Sequence, residues 1–235
     1  MKIVASSILL LLFFNLTYGQ KEVVDERLKL YDIPEDFITN ALKDGYADYY
    51  FQFRQVTWVP SDQGMEEIIQ EGEYNPASPA GEKWQLLKIN GEKPDNREIK
   101  KFSKFNNTFE PDINPEIDES PYSIAEENDD DLVILLTFKR GTLPKRYEFL
   151  GKCSGLAYID KHTHRLTQIE YRNEGPVKIW GHRAIGLSLV QYFTFREEEG
   201  KYLIDREELD LEVENLAMGK SILYDIQYTD YKEVK

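Results

Sequence analysis

Apolar residues along this chain follow three rhythms in turn. Ile3 to Phe14 is nearly continuous, broken only by Ser6 and Ser7. It sits behind Met1-Lys2 and ahead of Asn15-Leu16-Thr17-Tyr18-Gly19-Gln20, with small residues at Thr17 and Gly19. A short positive start, an apolar run and small residues before a cut predict a cleaved secretory signal peptide over residues 1–19. The run is too short for a comfortable membrane span. A helical rhythm follows, in which Phe37, Ile38, Ala41 and Leu42 share one face. Asp32, Pro34 and Glu35 supply helix-opening signals and Gly45 a stop. From Tyr46 onward, alternation takes over.

Tyr46 to Val59 reads as a strand, and the turn cluster Pro60 to Gly64 leads to a second strand over Met65 to Tyr74, a hairpin. Asn75 to Glu82 is a loop, Trp84 to Ile89 a short strand, and Asn90-Gly91 a turn. Pro94, Asp95 and Glu98 open another helix, whose Ile99, Phe102 and Phe105 form a stripe directed at the sheet. Leu132 to Phe138 suits a central strand, and Tyr147 and Phe149 alternate with polar neighbours. Leu156 to Ile159 and Arg165 to Arg172 flank a polar turn, Asp160 to His164. Ile185, Leu187, Leu189, Phe193 and Phe195 share one parity. Short strands near Tyr202 and Leu209 precede a last one with Ile222, Tyr224, Ile226 and Tyr228 on one face. Consecutive strands on short turns predict an antiparallel sheet in an α+β protein, because parallel pairing needs crossover helices.

Composition narrows the partners. The 235 residues carry 29 Lys+Arg against 43 Asp+Glu, a net charge of −14. Removing residues 1–19 takes away one Lys and no acid, leaving 28 against 43, or −15. The remainder, 20–235, suits a single domain. Such acidity argues against nucleic acid as a partner and against a polybasic grip on anionic lipid. Ten acids and no base fall within 110–131, together with Pro111, Pro115 and Pro121, which predicts an acidic, solvated loop there.

Candidate chemistry is sparse. No nucleophile elbow, zinc-protease helix, P-loop or dinucleotide fingerprint occurs. Gly151-Lys152-Cys153-Ser154-Gly155 lies between strands rather than at a strand-to-helix turn, so Cys153 reads as a buried or edge thiol. A single cysteine excludes an internal disulfide framework and a four-cysteine zinc site. His162 and His164 fall in a polar turn, and no carboxylate at ligand spacing joins them or His182. Asn128 to Asp131 lacks the calcium-loop pattern. With 43 acids, no pair of carboxylates stands out for glycoside hydrolysis. The expectation is a protein that is not an enzyme and has neither cofactor nor metal.

Aromatic content, 13%, is the unusual quantity. A meander so rich in Tyr, Phe and Trp can curl and present an apolar face, which either encloses a cavity or is filled by its own side chains. Parity selects Phe51, Phe53, Trp84, Tyr147, Phe149, Leu187, Leu189, Tyr224 and Ile226 as candidates for that face.

Two stretches carry a family resemblance. The first is Gly81-Glu82-Lys83-Trp84-Gln85-Leu86-Leu87, with Asn90-Gly91 and Pro94 ahead of a helix. The second is Gly155-Leu156-Ala157-Tyr158-Ile159-Asp160 followed by Thr163, Arg165-Leu166 and Ile169-Glu170. Together they resemble periplasmic proteins of the lipoprotein-carrier superfamily of LolA and LolB, closest to its uncharacterised exported members. The resemblance implies a strongly curved antiparallel sheet, an incomplete β-barrel covered by a few helices around a hydrophobic cavity, which in the carriers shelters acyl chains. The function it implies is a periplasmic carrier or chaperone binding a lipid or a lipidated protein, with no membrane span once the signal peptide is gone. The other reading is an envelope protein-interaction module with a filled core.

Overall fold

A computed structural model describes residues 20–43, 48–106, 116–139, 143, 148–179, 182–214 and 221–234. The expected signal segment 1–19, residues 110–115 of the expected acidic loop, Gly45 and Tyr147 lie outside the described residues. No described helix is long and apolar enough to cross a membrane.

The described residues begin with two helices, α1 over residues 20–30 and α2 over Phe37–Lys43. A helix over 20–30 has no counterpart in the sequence reading, yet its Val24 and Leu28, four residues apart, are fully buried. Asp32, expected to open a helix, instead follows the end of α1 with φ of 54°. That left-handed conformation suits a residue terminating a helix and is tolerated by Asp.

The hairpin β1 (Tyr49–Ser61) and β2 (Gly64–Tyr74) forms as expected, in register from Phe51↔Tyr74 to Ser61↔Gly64. β3 (Trp84–Ile89) pairs with β2 and turns at Asn90 and Gly91, with φ of 51° and 82°. The capping box at α3 (Asn96–Asn106) closes in both directions. Asp95 Oδ1 accepts from the N–H groups of Arg97 and Glu98, and Glu98 Oε2 accepts from the Asp95 N–H at 2.7 Å. Of its stripe only Phe102 is buried, stacked on Phe53 with ring centroids 5.9 Å apart; Ile99 and Phe105 are exposed.

The expected acidic loop over 110–131 is corrected in its second half. Residues Ile117–Glu127 form strand β4, paired with β5 (Asp131–Phe138). β4 ends the strand order, its Glu126 and Glu127 are exposed, and its register shifts between Asp118 and Ser123, the interval containing Pro121. Edge strands and register irregularities accommodate proline and charge that a central strand excludes. The expected alternation around Phe149 is also corrected: Glu148–Lys152 is a 3-10 turn that buries Phe149 and Leu150.

The remaining strands are β6 (Cys153–Asp160), β7 (Arg165–Asn173), β8 (Val177–Ile179), β9 (His182–Arg196), β10 (Lys201–Val213) and β11 (Ser221–Glu233). All pairings are antiparallel, in the order β3-β2-β1-β11-β10-β9-β7-β6-β5-β4, with β8 on β9. The sheet is open, ending at β3 and β4, and is not closed into a barrel. The last strand, β11, inserts between β1 and β10, so the N-terminal hairpin is held by the far end of the chain. Ile185 departs from its predicted face. The β9–β10 register shifts between Glu212↔Gly186 and Val213↔Ala184, which leaves Ile185 exposed and buries Ala184.

Candidate functional site: the apolar face of the sheet

Alternation gives the sheet two unlike faces. On one, cross-strand rows run Leu136–Gly155–Tyr171–Leu189–Leu209–Tyr224–Thr57 and Ile134–Ala157–Ile169–Gln191–Glu207–Ile226–Gln55. The helices cover this face, with α2 against β10 and β7 and α3 against β3. Phe51, Phe53, Tyr74 and Tyr228 extend it toward β2.

The eight parity candidates among the described residues divide by burial. Phe51 is completely buried, stacked on Tyr74 at 5.0 Å and edge-on to Trp84 and Tyr228 at 5.5 and 5.6 Å. Phe53 packs between Trp84 and Phe102. This end is a filled aromatic core, with ring geometries that favour tight packing. Leu187 is buried further along the same face, and Phe149 is buried under the 3-10 turn. Leu189, Tyr224 and Ile226 are only half-buried, as is their neighbour Leu209, which the parity selection left out. Leu189, Leu209 and Ile226 pack against the buried core from one side. With Trp84 and Phe195, they are incompletely covered residues of this face among the described residues.

Besides Gln55 and Thr57 at its β1 end, which hydrogen-bond to each other, Glu207 and Gln191 interrupt this apolar field. Glu207 is half-buried; its Oε2 accepts from the Tyr228 hydroxyl at 2.5 Å and its Oε1 from Gln191 Nε2 at 2.7 Å. No cation among the described residues pairs with it. Its nearest sequence neighbour of opposite charge, Arg206, is engaged on the other face by Asp225 and Glu208. Loss of hydration pushes the Glu207 carboxyl above its ordinary value, and its two donors pull the other way without cancelling that push. Gln191 is 4% exposed and its Oε1 has no hydrogen-bond partner among the described residues. The sequence held a signal for Gln191, because it is the polar break in Leu187-Leu189-Gln191-Phe193-Phe195.

The opposite face carries charge. Trp58, Val190 and Leu223 floor an open trough of about 300 Å³ rimmed by Arg206, Glu208, Asp210 and Asp225. Leu209 and Tyr224 also border it.

The sequence-level chemical candidates are accounted for by structure. Cys153 is buried, its Sγ lies 3.3 Å from the Phe149 carbonyl oxygen, and burial pushes its thiol up to about 12. A thiol so far from ionising is a poor nucleophile. His162 contacts Asp130 at 3.1 Å in the exposed turn, and Asp160 Oδ1 accepts from the His162 and Thr163 N–H groups. Asn128 Oδ1 accepts from the N–H groups of Asp130 and Asp131, the bonding of a turn. Among the described residues no cluster of His, Cys, Asp and Glu has metal-binding geometry.

No family model matches the chain, and no curated protein does. Solved structures do. A LolA superfamily protein from Nitrosomonas europaea is 11% identical with a TM-score of 0.42, the match covering 86% of this chain and 93% of that one. A domain described as an outer membrane lipoprotein-sorting protein, from Vibrio parahaemolyticus, is 9% identical with a TM-score of 0.39, covering 92% and 93%. A DUF1329 family protein from Desulfovibrio piger is 10% identical with a TM-score of 0.34, covering 79% and 85%.

Proposed function

We propose that this is an exported protein that binds the apolar portion of a lipid or of a lipidated protein against the open part of its sheet face. The observation that carries the reading is the half-buried group Leu189, Leu209, Tyr224 and Ile226, on two adjacent rows, which continues a packed core on the same face. Apolar side chains left partly wet beside a packed core gain from a further apolar partner, at about 0.8 kcal/mol for each buried CH₂ of ligand. The signal-peptide layout of residues 1–19 supports delivery to the periplasm. The role is carriage or shelter, by burial alone, with no bond made or broken.

Native mass spectrometry of protein secreted to and purified from the periplasm tests this. The expected result is a mass increment corresponding to lipid, exchangeable for a fluorescent fatty acid. Protein that is consistently bare and takes up no fluorescent fatty acid overturns the carrier reading and favours the protein-interaction module.

A further inference from the structure

Glu207 and Gln191 are placed where an apolar binding face has least use for them. They are adjacent on the row that also contains Ile169 and Ile226, with Leu189 and Leu209 as their neighbours along each strand. Within the pair the available donors are spent. Gln191 Nε2 and the Tyr228 hydroxyl both point at the Glu207 carboxylate, leaving, among the described residues, one carboxylate without a counter-charge and one amide oxygen without a donor. Buried acceptors in native structures are almost always matched, and an unmatched one marks a missing partner or a functional device. What the site offers to a newcomer is acceptors only.

Resting on the carrier reading above, we infer that the Glu207–Gln191 pair is a head-group subsite selecting amphiphiles with a hydrogen-bond-donating cationic amine over those with a carboxylate. An ammonium supplies three donors and the absent positive charge, and a carboxylate supplies neither and meets Glu207 as a like charge. The apolar tail lies along Leu189, Leu209, Tyr224 and Ile226, and the head reaches the pair once those half-buried side chains move aside. Gln191 Oε1 then gains the donor it lacks.

Three ligands of equal chain length separate head from tail: dodecylamine, dodecanol and dodecanoate, each titrated calorimetrically into the purified mature protein below its micelle concentration. The overall charge of the protein attracts any cation, so titrations are run in 0.5 M salt, where surface attraction is screened within about 4 Å. Dodecylamine is expected to bind at least tenfold more tightly than dodecanoate, with dodecanol between them. Glu207→Gln is expected to bring amine and carboxylate within about threefold of each other, and Asp210→Asn, on the opposite face, to leave their ratio unchanged. If Glu207→Gln does not fold by circular dichroism, Gln191→Leu decides, with a loss of amine and alcohol affinity and no change for dodecanoate. Equal binding of amine and carboxylate by the wild type overturns the subsite and leaves the carrier reading standing. So does a ratio untouched in a folded variant. Failure of all three ligands to bind overturns the carrier reading itself, and the subsite with it.

Discussion

Phe53 lies across Gly72 on the neighbouring strand, so close that a Cβ on Gly72 would come within 2.5 Å of the Phe53 ring and 2.3 Å of the Gln85 carbonyl oxygen. The ring occupies the space that the missing side chain leaves, and the β2–β3 register shift between Glu71 and Gly72 brings the Gln85 backbone equally near. Because one of the two obstacles is backbone, the clash cannot be relieved by a rotamer change. Gly72→Ala is expected to destabilise the protein by about 2–3 kcal/mol through overpacking. That corresponds to a fall in Tm of roughly 5–10 °C for a chain of this size, measured by thermal denaturation. A shift below 1 °C would mean that Phe53 is not seated as described.

That contact also marks the boundary of what alternation reveals. Phe51, Phe53, Leu187, Leu189, Tyr224 and Ile226 were selectable from the sequence because a period of two assigns each strand residue to a face, and all six do share one. Parity fails where the ladder gains a residue. Ile185 is turned outward by the β9–β10 irregularity, and nothing in its local sequence distinguishes it from Leu187. Composition misled at Ile117–Glu127, since acids and prolines signal a loop unless the strand is known to be an edge. The pairing of β11 with β1 joins residues more than 150 positions apart, a relationship beyond any local pattern. Glu207 was invisible for a related reason. In Arg206-Glu207-Glu208 it resembles its charged neighbours, and only the register with Gln191 and Ile226 sets it on the apolar face.

Cys153 shows the same dependence of chemistry on packing. A thiol pushed up to about 12 by burial is almost entirely protonated at neutral pH, and only the thiolate attacks a disulfide reagent. Native protein is therefore expected to release no thionitrobenzoate from Ellman's reagent over an hour at pH 8. One equivalent should appear within minutes in 6 M guanidinium. Rapid stoichiometric release from the native protein would contradict the burial of this side chain.

Glu207 makes stability depend on pH in a direction opposite to that of a salt-bridged carboxylate. Its folded value is raised, so the unfolded chain, near the ordinary 4.5, releases this proton at lower pH than the folded chain does. Below 4.5 the group's contribution is fully present, and it is lost as pH rises through the folded value. Glu207→Gln removes that titration while keeping the side-chain shape. Relative to the variant, wild type is expected to be more stable at pH 4 than at pH 8, read as the difference between their Tm values at each pH. A difference that is constant from pH 4 to pH 8, or that grows in favour of wild type toward pH 8, contradicts the assignment of Glu207 to a water-poor face.

The division of the apolar face into a filled end and an open end predicts that stability and ligand binding separate by position. Phe51 is fully buried among four aromatic rings, and truncating it leaves a cavity that its neighbours cannot close. Phe51→Ala is expected to cost about 3–5 kcal/mol, the range for a buried aromatic. Ile226 packs on the core from one side only, so Ile226→Ala sacrifices less, about 1 kcal/mol, because part of its surface is already in water. Ligand contact reverses the order: Ile226→Ala removes a wall that an apolar chain would cover, and uptake of a fluorescent fatty acid is expected to weaken about three- to tenfold. A conservative Phe51→Leu, stable enough to assay, is expected to leave uptake within about twofold, because the ring faces its neighbours and not the opening. Were Phe51→Leu to weaken uptake more than Ile226→Ala, the aromatic end would be the ligand site and Leu189, Leu209, Tyr224 and Ile226 its margin.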